Sequence, residues 1–347
     1  MKRIYSLDLF KLCFAYIIAL GHFGTHVPPG SGVTVQIFFI ISGFFLARKF
    51  YTKSYPYQEN SYNQWDYTVD HVKSLYPHYL FSLLILVCCH LLAELVTGEE
   101  PLSLYAGAQK IYELIPELLL VQNTGIFEGG INYPLWQMCV LVIGGYFVYG
   151  ALCLNERISR HFVFPAAILM IQVLLKQDVD PWGSVGFFHV PLLRAISPLC
   201  IGVLAYYLTT TQYYTALKNK PIVFNILSVL GLVSIFVFQG HQNIFLITFV
   251  VVLLAMYDEN SWFNRVFNRK IFRRFGEFSY AIYLNHALII SLLRKLGFPV
   301  IHRVIGKELP GDLQAAIYLV ILTVYSVVTL WLVNRIVRFA AAKRAAK

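Results

Sequence analysis

Two ionisable side chains lie in a segment that otherwise has the composition of a membrane-spanning helix. The segment reads LFKLCFAYIIALGHFG, with Lys11 near its beginning and His22 near its end. Their separation of 11 residues is about three helical turns, so both side chains lie on nearly the same face, about 16 Å apart along the axis. A histidine can act as a general base, and a lysine can bind an anion or stabilise developing negative charge. The spacing therefore favours a joint role.

Asp8 lies three residues before Lys11, a spacing at which the two side chains can form an ion pair on one helix. Two plainer explanations stay open for Lys11 and His22. Lys11 can extend its long side chain to the inner interface, and His22 can lie at the level of the lipid headgroups. Because an ionisable residue inside a span is costly and usually faces a cavity, we expect Lys11 and His22 to have a joint role.

Polar residues interrupt three further apolar stretches. FFIISGFF contains Ser42 and Gly43, and this notch either admits a neighbouring helix or lets a bound ligand reach the backbone. HVKSLYPHYL contains Pro77, which is often only a signal for a helix start, and Lys73 with His71 and His78, which can bind an anion such as a phosphate at the cytoplasmic face. Arg194 precedes AISPLCIGVL at the outer border, where it either anchors the helix or binds a ligand. Both interpretations remain open for each stretch.

One stretch, FGEFSYAIYLNHALIIS, is the most polar of the apolar segments. Ser279, Tyr283 and His286 follow i, i+4, i+7 spacing and therefore share one face of a helix. Three hydrogen-bonding side chains on one face of a buried helix line a cavity or join two helices. The pattern argues for a cavity, and the composition permits either.

The composition excludes a water-soluble protein. Of the 347 residues, 58% are hydrophobic and 13% are charged, whereas soluble domains have about 25% charged residues. The net charge is +10, but no basic run with interleaved aromatic residues marks a nucleic-acid surface. The six cysteines lie in or beside apolar runs without CxxC spacing, so we interpret them as buried thiols. The sequence contains no metal-binding cluster, phosphate loop, dinucleotide fingerprint or nucleophile elbow.

The pattern of apolar runs predicts an all-α integral membrane protein with about ten transmembrane helices and both termini in the cytoplasm. Each run approaches the 20 or so residues that cross a bilayer. The predicted spans are 7–24, 33–50, 75–96, 133–154, 161–176, 192–209, 221–239, 242–257, 278–297 and 313–338. Cytoplasmic loops are enriched in Lys and Arg, and this arrangement leaves few on the outer side, namely Lys110, Lys176, Arg194, Arg294, Lys295, Arg303 and Lys307.

The loops fit a single polytopic domain that covers residues 1–347, without an internal repeat or a domain linker. Residues 51–70 are polar and rich in Tyr and Asn, which predicts a cytoplasmic loop. Residues 97–132 form the longest outer connection, and their apolar residues at helical spacing predict an amphipathic or re-entrant element. We expect the N-terminal apolar stretch to be retained as the first span, because no small-residue cleavage site follows it.

Taken in order along residues 3–338, six stretches resemble the motifs of the membrane-bound acyltransferase family 3. They are Asp8 with Lys11 and His22, FFIISGFF, SLYPHY with Tyr76, PLWQM with Trp136, Arg194 with Gly202, and FGEFSYAIYLNH. The chain departs from the family at several positions: Lys11 replaces an arginine, and His71, Lys73 and Ser74 stand where arginines are common. The residues that bind the phosphates of coenzyme A therefore stay open.

The resemblance implies an O-acyltransferase, most often an O-acetyltransferase, that uses acetyl-CoA or another acyl-CoA as donor and has no tightly bound cofactor. The acceptor would be a hydroxyl of a cell-surface polysaccharide or its lipid-linked precursor. By resemblance, the expected catalytic residues are His22, Lys11 and Asp8. His22 is the general base, Lys11 helps to hold the donor or to stabilise charge, and Asp8 pairs with Lys11. The remaining motif residues would bind donor or acceptor: Ser42, Gly43, Lys73, Tyr76, Trp136, Arg194, Ser279, Tyr283 and His286.

The expected partners are acyl-CoA, a glycan or lipid-linked glycan, and membrane lipids, without nucleic acid, and the expected location is the bacterial cytoplasmic membrane. The oligomeric state stays open, and a homodimer is one alternative. A transporter or flippase for a glycan, an amino acid or an acyl donor is the alternative function, because the same polar faces could line its path. Loss of acyl transfer in His22→Ala distinguishes the enzyme from the transporter.

Overall fold

The computed structural model is almost wholly helical. It describes residues 3–25, 27, 33–58, 61–97, 112–125, 127, 130–175, 179–237 and 242–345. In chain order the helices are α1 (Tyr5–Phe23), α2 (Thr34–Lys53), α3 (Gln64–Thr97), α4 (112–118), α5 (Trp136–Ile158), α6 (Phe164–Leu174), α7 (Val190–Leu208), α8 (Gln212–Lys218), α9 (Pro221–Val237), α10 (Gln242–Tyr257), α11 (Trp262–Phe267), α12 (Phe275–Leu292), α13 (Phe298–Ile305) and α14 (Gly311–Ala345).

Short irregular elements join several of these helices. A 3-10 turn, Tyr133–Leu135, leads into α5, and another, Lys270–Arg274, leads into α12. π-helical turns continue α5 into α6 at Ser159–Val163 and α12 into α13 at Leu293–Gly297. Before α7 the chain forms a two-stranded antiparallel hairpin, β1 (Ser184–Val185) with β2 (Phe188–His189), which the all-α prediction did not include.

Six stretches of the described chain are long and apolar enough to cross a membrane, and α8 with α9, bent by 97°, would make a seventh. The stretches are Tyr5–Phe23, Thr34–Lys53, Gln64–Cys89, Tyr133–Leu174, Val190–Leu208 and Gly311–Lys343. This confirms a helical protein with several potential spans. The count of ten and the side of the two termini stay predictions.

The difference in count has identifiable causes. The predicted fourth and fifth spans form one helical run, in which the backbone leaves helical geometry at Asn155 (φ −159°, ψ 100°). α10 is only 16 residues long, short of the 20 or so that span the hydrocarbon core. Polar residues lower the hydropathy of α12, and they include Ser279, Tyr283 and His286, which the sequence assigns to a cavity.

One predicted loop is shorter in the structure, and a second predicted segment is described only in part. The cytoplasmic loop over 51–70 is shorter, because α2 continues to Lys53 and α3 already begins at Gln64. Pro77 therefore lies inside α3 and does not mark its start. In the outer connection, α4 is the helical part that the structure describes, and residues 98–111 lie outside the described chain. Membrane entry by this connection stays a prediction.

The cysteines are also partly corrected. All six are free thiols, in agreement with the prediction that none forms a disulfide. Cys139, Cys153 and Cys200 are buried, but Cys13 and Cys88 are exposed on the surface of their helices. An apolar run has one face towards the protein and one towards lipid, and membership of such a run does not say which face a thiol occupies.

The closest helix contact is between α2 and α7. A Cβ atom at Gly43 would collide with the carbonyl of Leu199, and a Cβ atom at Gly202 would collide with the carbonyl of Ile40. The two glycines therefore form reciprocal notches that bring the two backbones together. Phe39, Leu46 and Ala47 of α2 continue this contact as buried apolar residues.

We predict that Gly202→Ala and Gly43→Ala each destabilise the fold, because overpacking of this contact costs about 1–3 kcal/mol. The measurement is the midpoint of thermal unfolding of purified protein in detergent. Gly311→Ala is the matched control, because a Cβ atom there meets nothing within 4 Å. Equal midpoints for all three variants would contradict the packing role of the two glycines.

Candidate active site

A cavity of about 250 Å³ lies between α1, α2, α3, α5 and α12. Its wall is mostly apolar and includes Phe38, Phe39, Leu75, Met138 and Leu141, a composition typical of ligand pockets in which a few polar groups fix orientation. Its polar and small lining residues are Lys11, Ser42, His71, Gln137, Gly276, Ser279, Tyr280 and Tyr283. Four of the predicted site residues, on three different helices, thus share one cavity.

Lys11 is the cation of this cavity. Its ammonium lies 5.3 Å from the centre of the Phe45 ring, an attractive cation–π geometry. Within the part of the chain that the structure describes, Lys11 has no ion pair. Asp8, its predicted partner, instead accepts a hydrogen bond of 2.6 Å from Nε of Arg3. This corrects the sequence interpretation, because Arg3 reaches Asp8 from the segment before α1 and leaves the charge of Lys11 facing the cavity.

His22 lies at the other end of α1, in its last turn, and does not line the cavity. The helix ends there because Gly24 adopts the left-handed conformation (φ 83°). Arg294 donates a hydrogen bond of 2.7 Å to the carbonyl of Phe23, which occupies one of the free carbonyls at the helix end. The imidazole is exposed and keeps an open side for a ligand.

Two aromatic side chains flank the imidazole of His22. The Tyr133 ring lies edge-on at 5.3 Å between centroids, and the His286 ring lies at 5.2 Å. His286 is fully buried, and its Nδ1 is 2.6 Å from the carbonyl of Tyr283, so Nδ1 carries the hydrogen. Its Nε2 then presents a lone pair, and this atom has no hydrogen-bond partner among the described residues.

Tyr283 connects the two ends of the site. It lines the cavity of Lys11, packs against His286 at 5.7 Å between ring centroids, and donates its hydroxyl to the carbonyl of Pro134. The helical face predicted from Ser279, Tyr283 and His286 therefore runs alongside the face of α1. Ser279 donates within its own helix to the carbonyl of Gly276 at 2.8 Å.

Other predicted site residues lie away from the cavity. Gly43 faces α7, so the helix-packing interpretation accounts for it. Lys73 is exposed on α3, and the Tyr76 hydroxyl donates to the carbonyl of Leu118 at 2.8 Å. Arg194 lies over the Trp136 ring at 5.6 Å and over the Trp182 ring at 6.0 Å, which brings two of the predicted residues together near the hairpin.

Sequence reasoning assigned no role to Gln137 and Tyr280, which the structure places in the wall of the cavity. His71, which the sequence grouped with Lys73 as a candidate anion-binding residue, also lines the cavity. Tyr133 could not have been found from the sequence, because its contact with His22 joins distant parts of the chain.

A buried acid, Glu117, lies behind this region at the end of α4. It is completely buried, and Oε1 accepts a hydrogen bond of 2.9 Å from the backbone N–H of Asn132. Its Oε2 has no hydrogen-bond partner among the described residues. Burial raises the pKa of Glu117 to about 7, although the backbone amides of residues 131 and 132 oppose the shift.

Comparison with known proteins gives one match. A family model described as an acyltransferase domain matches residues 4–335. No curated protein and no solved structure matches the chain. In the described part of the chain, no group of three or more His, Cys, Asp or Glu side chains could hold a metal ion.

We predict that Glu117 makes stability fall as the pH rises through neutrality. Its pKa in the folded state, about 7, exceeds the ordinary value of 4.5, so between these values the folded state binds a proton that the unfolded state has lost. Wild type should therefore lose on the order of 2 kcal/mol between pH 5 and pH 8, and Glu117→Gln should not.

The measurement is the midpoint of thermal unfolding at both pH values. Glu113→Gln is the control, because it makes the same chemical change one turn earlier on α4. If Glu117→Gln keeps the wild-type pH dependence, the acid does not titrate in this range.

Proposed function

The chain belongs to the acyltransferase family whose model matches residues 4–335, and from this premise we propose that it is a membrane O-acetyltransferase. The proposed donor is acetyl-CoA, without a tightly bound cofactor. The proposed acceptor is a hydroxyl of a cell-surface polysaccharide or of its lipid-linked precursor. Its proposed location is the bacterial cytoplasmic membrane.

One observation carries the proposal. A single helix, α1, places a cation in a cavity and an exposed imidazole near its other end, about 16 Å further along the axis. The cation suits the carbonyl or phosphate oxygens of a donor. The imidazole suits the acceptor, because deprotonation of a hydroxyl needs a base whose lone pair can reach it.

The proposed reaction uses His22 as the general base. Neutral His22 takes the proton of the acceptor hydroxyl while the oxygen attacks the thioester carbonyl carbon. A C–O bond forms, the C–S bond breaks, and the thiolate leaves with the electron pair of that bond. The proton on His22 then neutralises the thiolate, so the base is restored and coenzyme A leaves as a thiol. This sequence needs no oxidant and no metal-bound intermediate.

The cavity groups have proposed roles in binding the donor. Lys11 and Ser42 offer a cation and a hydroxyl to the donor, while Tyr283 already donates its hydroxyl to Pro134. The thioester must extend from this cavity along the shared face of α1 and α12 to meet the acceptor at His22. Lys73 at the exposed surface would contact donor phosphates. Trp136 with Arg194 would contact the glycan.

The test is acetyl transfer by the purified chain in lipid nanodiscs. The substrates are radiolabelled acetyl-CoA and a lipid-linked glycan fraction extracted from the source membranes. His22→Ala should reduce the rate constant by about 10²–10⁴-fold, as expected for loss of a general base. Lys11→Gln should mainly raise KM for acetyl-CoA. His161→Ala and Lys343→Gln are controls of matched chemistry, since both residues lie outside the proposed site.

The result also decides between enzyme and transporter. Absence of acetyl transfer by wild type, combined with movement of the glycan or donor across vesicle membranes that contain the chain, would contradict the proposed reaction. Equal rates for wild type and His22→Ala would contradict the role of His22 while leaving the acyltransferase activity intact.

A further inference from the structure

Three consecutive residues, Asn132, Tyr133 and Pro134, contact three different parts of the site region. We name them the bracing segment. The backbone N–H of Asn132 donates to Oε1 of Glu117 at 2.9 Å. The ring of Tyr133 packs edge-on against His22, and the carbonyl of Pro134 accepts the Tyr283 hydroxyl. A shift of the bracing segment would therefore move contacts on both sides of the site.

From this geometry we propose that Glu117 is a positioning residue for His22, acting through the bracing segment. The effect of Glu117 on catalysis rests on the proposed function. The position of the His22 ring itself is a separate consequence, and it can be measured without any reaction.

Hydrogen bonds from α3 hold the backbone of α4 at Glu117. The Tyr76 hydroxyl donates to the carbonyl of Leu118 at 2.8 Å, and the Tyr79 hydroxyl donates to the carbonyl of Glu117 at 2.8 Å. Gln122 in turn donates to the Tyr79 oxygen at 3.1 Å. These buried bonds fix the end of α4, so the Glu117 carboxyl is a fixed acceptor.

The chain passes close to the Glu117 carboxyl at Gly130. A Cβ atom at Gly130 would collide with Oε1 of Glu117, so the chain can pass the acid closely only because residue 130 is glycine. Asn132 adds a second attachment, since its side-chain nitrogen is 3.4 Å from the carbonyl of Leu284 on α12. The bracing segment is therefore held between α4 and α12.

Both flanks of His22 depend on this arrangement. Tyr133 belongs to the bracing segment, and His286 is held by the carbonyl of Tyr283, whose hydroxyl reaches Pro134. Loss of the Glu117 acceptor would leave a buried backbone N–H without a partner, which a local shift would relieve. Such a shift would move the ring that packs on His22 and the tyrosine that supports His286.

The surroundings of Glu117 indicate no ion-pairing role. Tyr79 on α3 and Glu113 on α4 are the titratable groups that face it within the described chain, and Glu113 has the same sign of charge. No cation among the described residues acts on this carboxyl, and its specific contacts are with the backbone amides of Ile131 and Asn132. A glutamine can supply the same acceptor, whereas a leucine cannot.

The experiment compares Glu117→Leu, Glu117→Gln and the control Glu113→Gln in nanodiscs. The first readout is the rate at which diethyl pyrocarbonate modifies His22 at pH 7, followed by mass spectrometry of the His22 peptide. The second is kcat and KM for acetyl-CoA consumption with the lipid-linked glycan fraction. Thermal unfolding of each variant shows the folded fraction, to which both readouts are normalised.

Glu117→Leu should change the rate of His22 modification by more than twofold and lower kcat by about 10–100-fold, as small displacements of catalytic groups do. KM for acetyl-CoA should change less than kcat, because Tyr283 is one member of the donor cavity's wall, whereas both rings beside His22 are displaced. Glu117→Gln should keep both kcat and the rate of His22 modification close to their wild-type values. The control, Glu113→Gln, should match wild type.

A loss of thermal stability alone, with wild-type kcat and His22 modification per folded molecule, would overturn the proposal. If Glu117→Leu does not fold, Gly130→Ala gives the decision, because it displaces the same carboxyl. Wild-type readouts in that variant would also overturn it. If wild type transfers no acetyl group, the proposed function fails, and the modification rates alone still decide whether Glu117 positions His22.

Discussion

The packing of α1 against α12 is the contact on which the candidate active site depends. The two helices run in the same direction, with Asp8 beside Gly276 at one end and His22 beside His286 at the other. Lipid offers ionisable and polar groups no hydrogen bonds, so such groups in a span need protein contacts or a cavity. Each helix supplies these contacts for the other, and the small residue at position 276 makes room for the carboxylate that Arg3 binds.

The rest of the bundle holds these two helices in place. α2 and α7 meet through the reciprocal glycine notches, which give α2 a fixed position from which Ser42 reaches the cavity. The bracing segment joins α4, α12 and the end of α1 at the level of His22. Buried hydrogen bonds of this kind are costly to leave incomplete, so the polar contacts define one arrangement, whereas the apolar contacts mainly supply cohesion.

Much of the site was predictable, and the failures have clear physical causes. Helical spacing placed Lys11 and His22 on one face of α1, and Ser279, Tyr283 and His286 on one face of α12, because periodicity is a property of the local chain. Asp8 was assigned to Lys11 by the same local rule, but Arg3 has the better approach to it. Ser42 and Gly43 show the limit of prediction from motifs. The two residues are adjacent in one motif, but Ser42 faces the cavity whereas Gly43 faces α7.

The sequence by itself determined the class of fold, the family and the residues that can do chemistry, because hydropathy, motif order and helical period are read along the chain. Tertiary structure decided which of these residues meet. It set Lys11 and His22 at opposite ends of a shared helix face, closed the cavity with His71, Gln137 and Tyr280, and brought Tyr133 beside His22 and Glu117 beside Asn132. These contacts join segments far apart in sequence, and only the packing of helices brings such segments together.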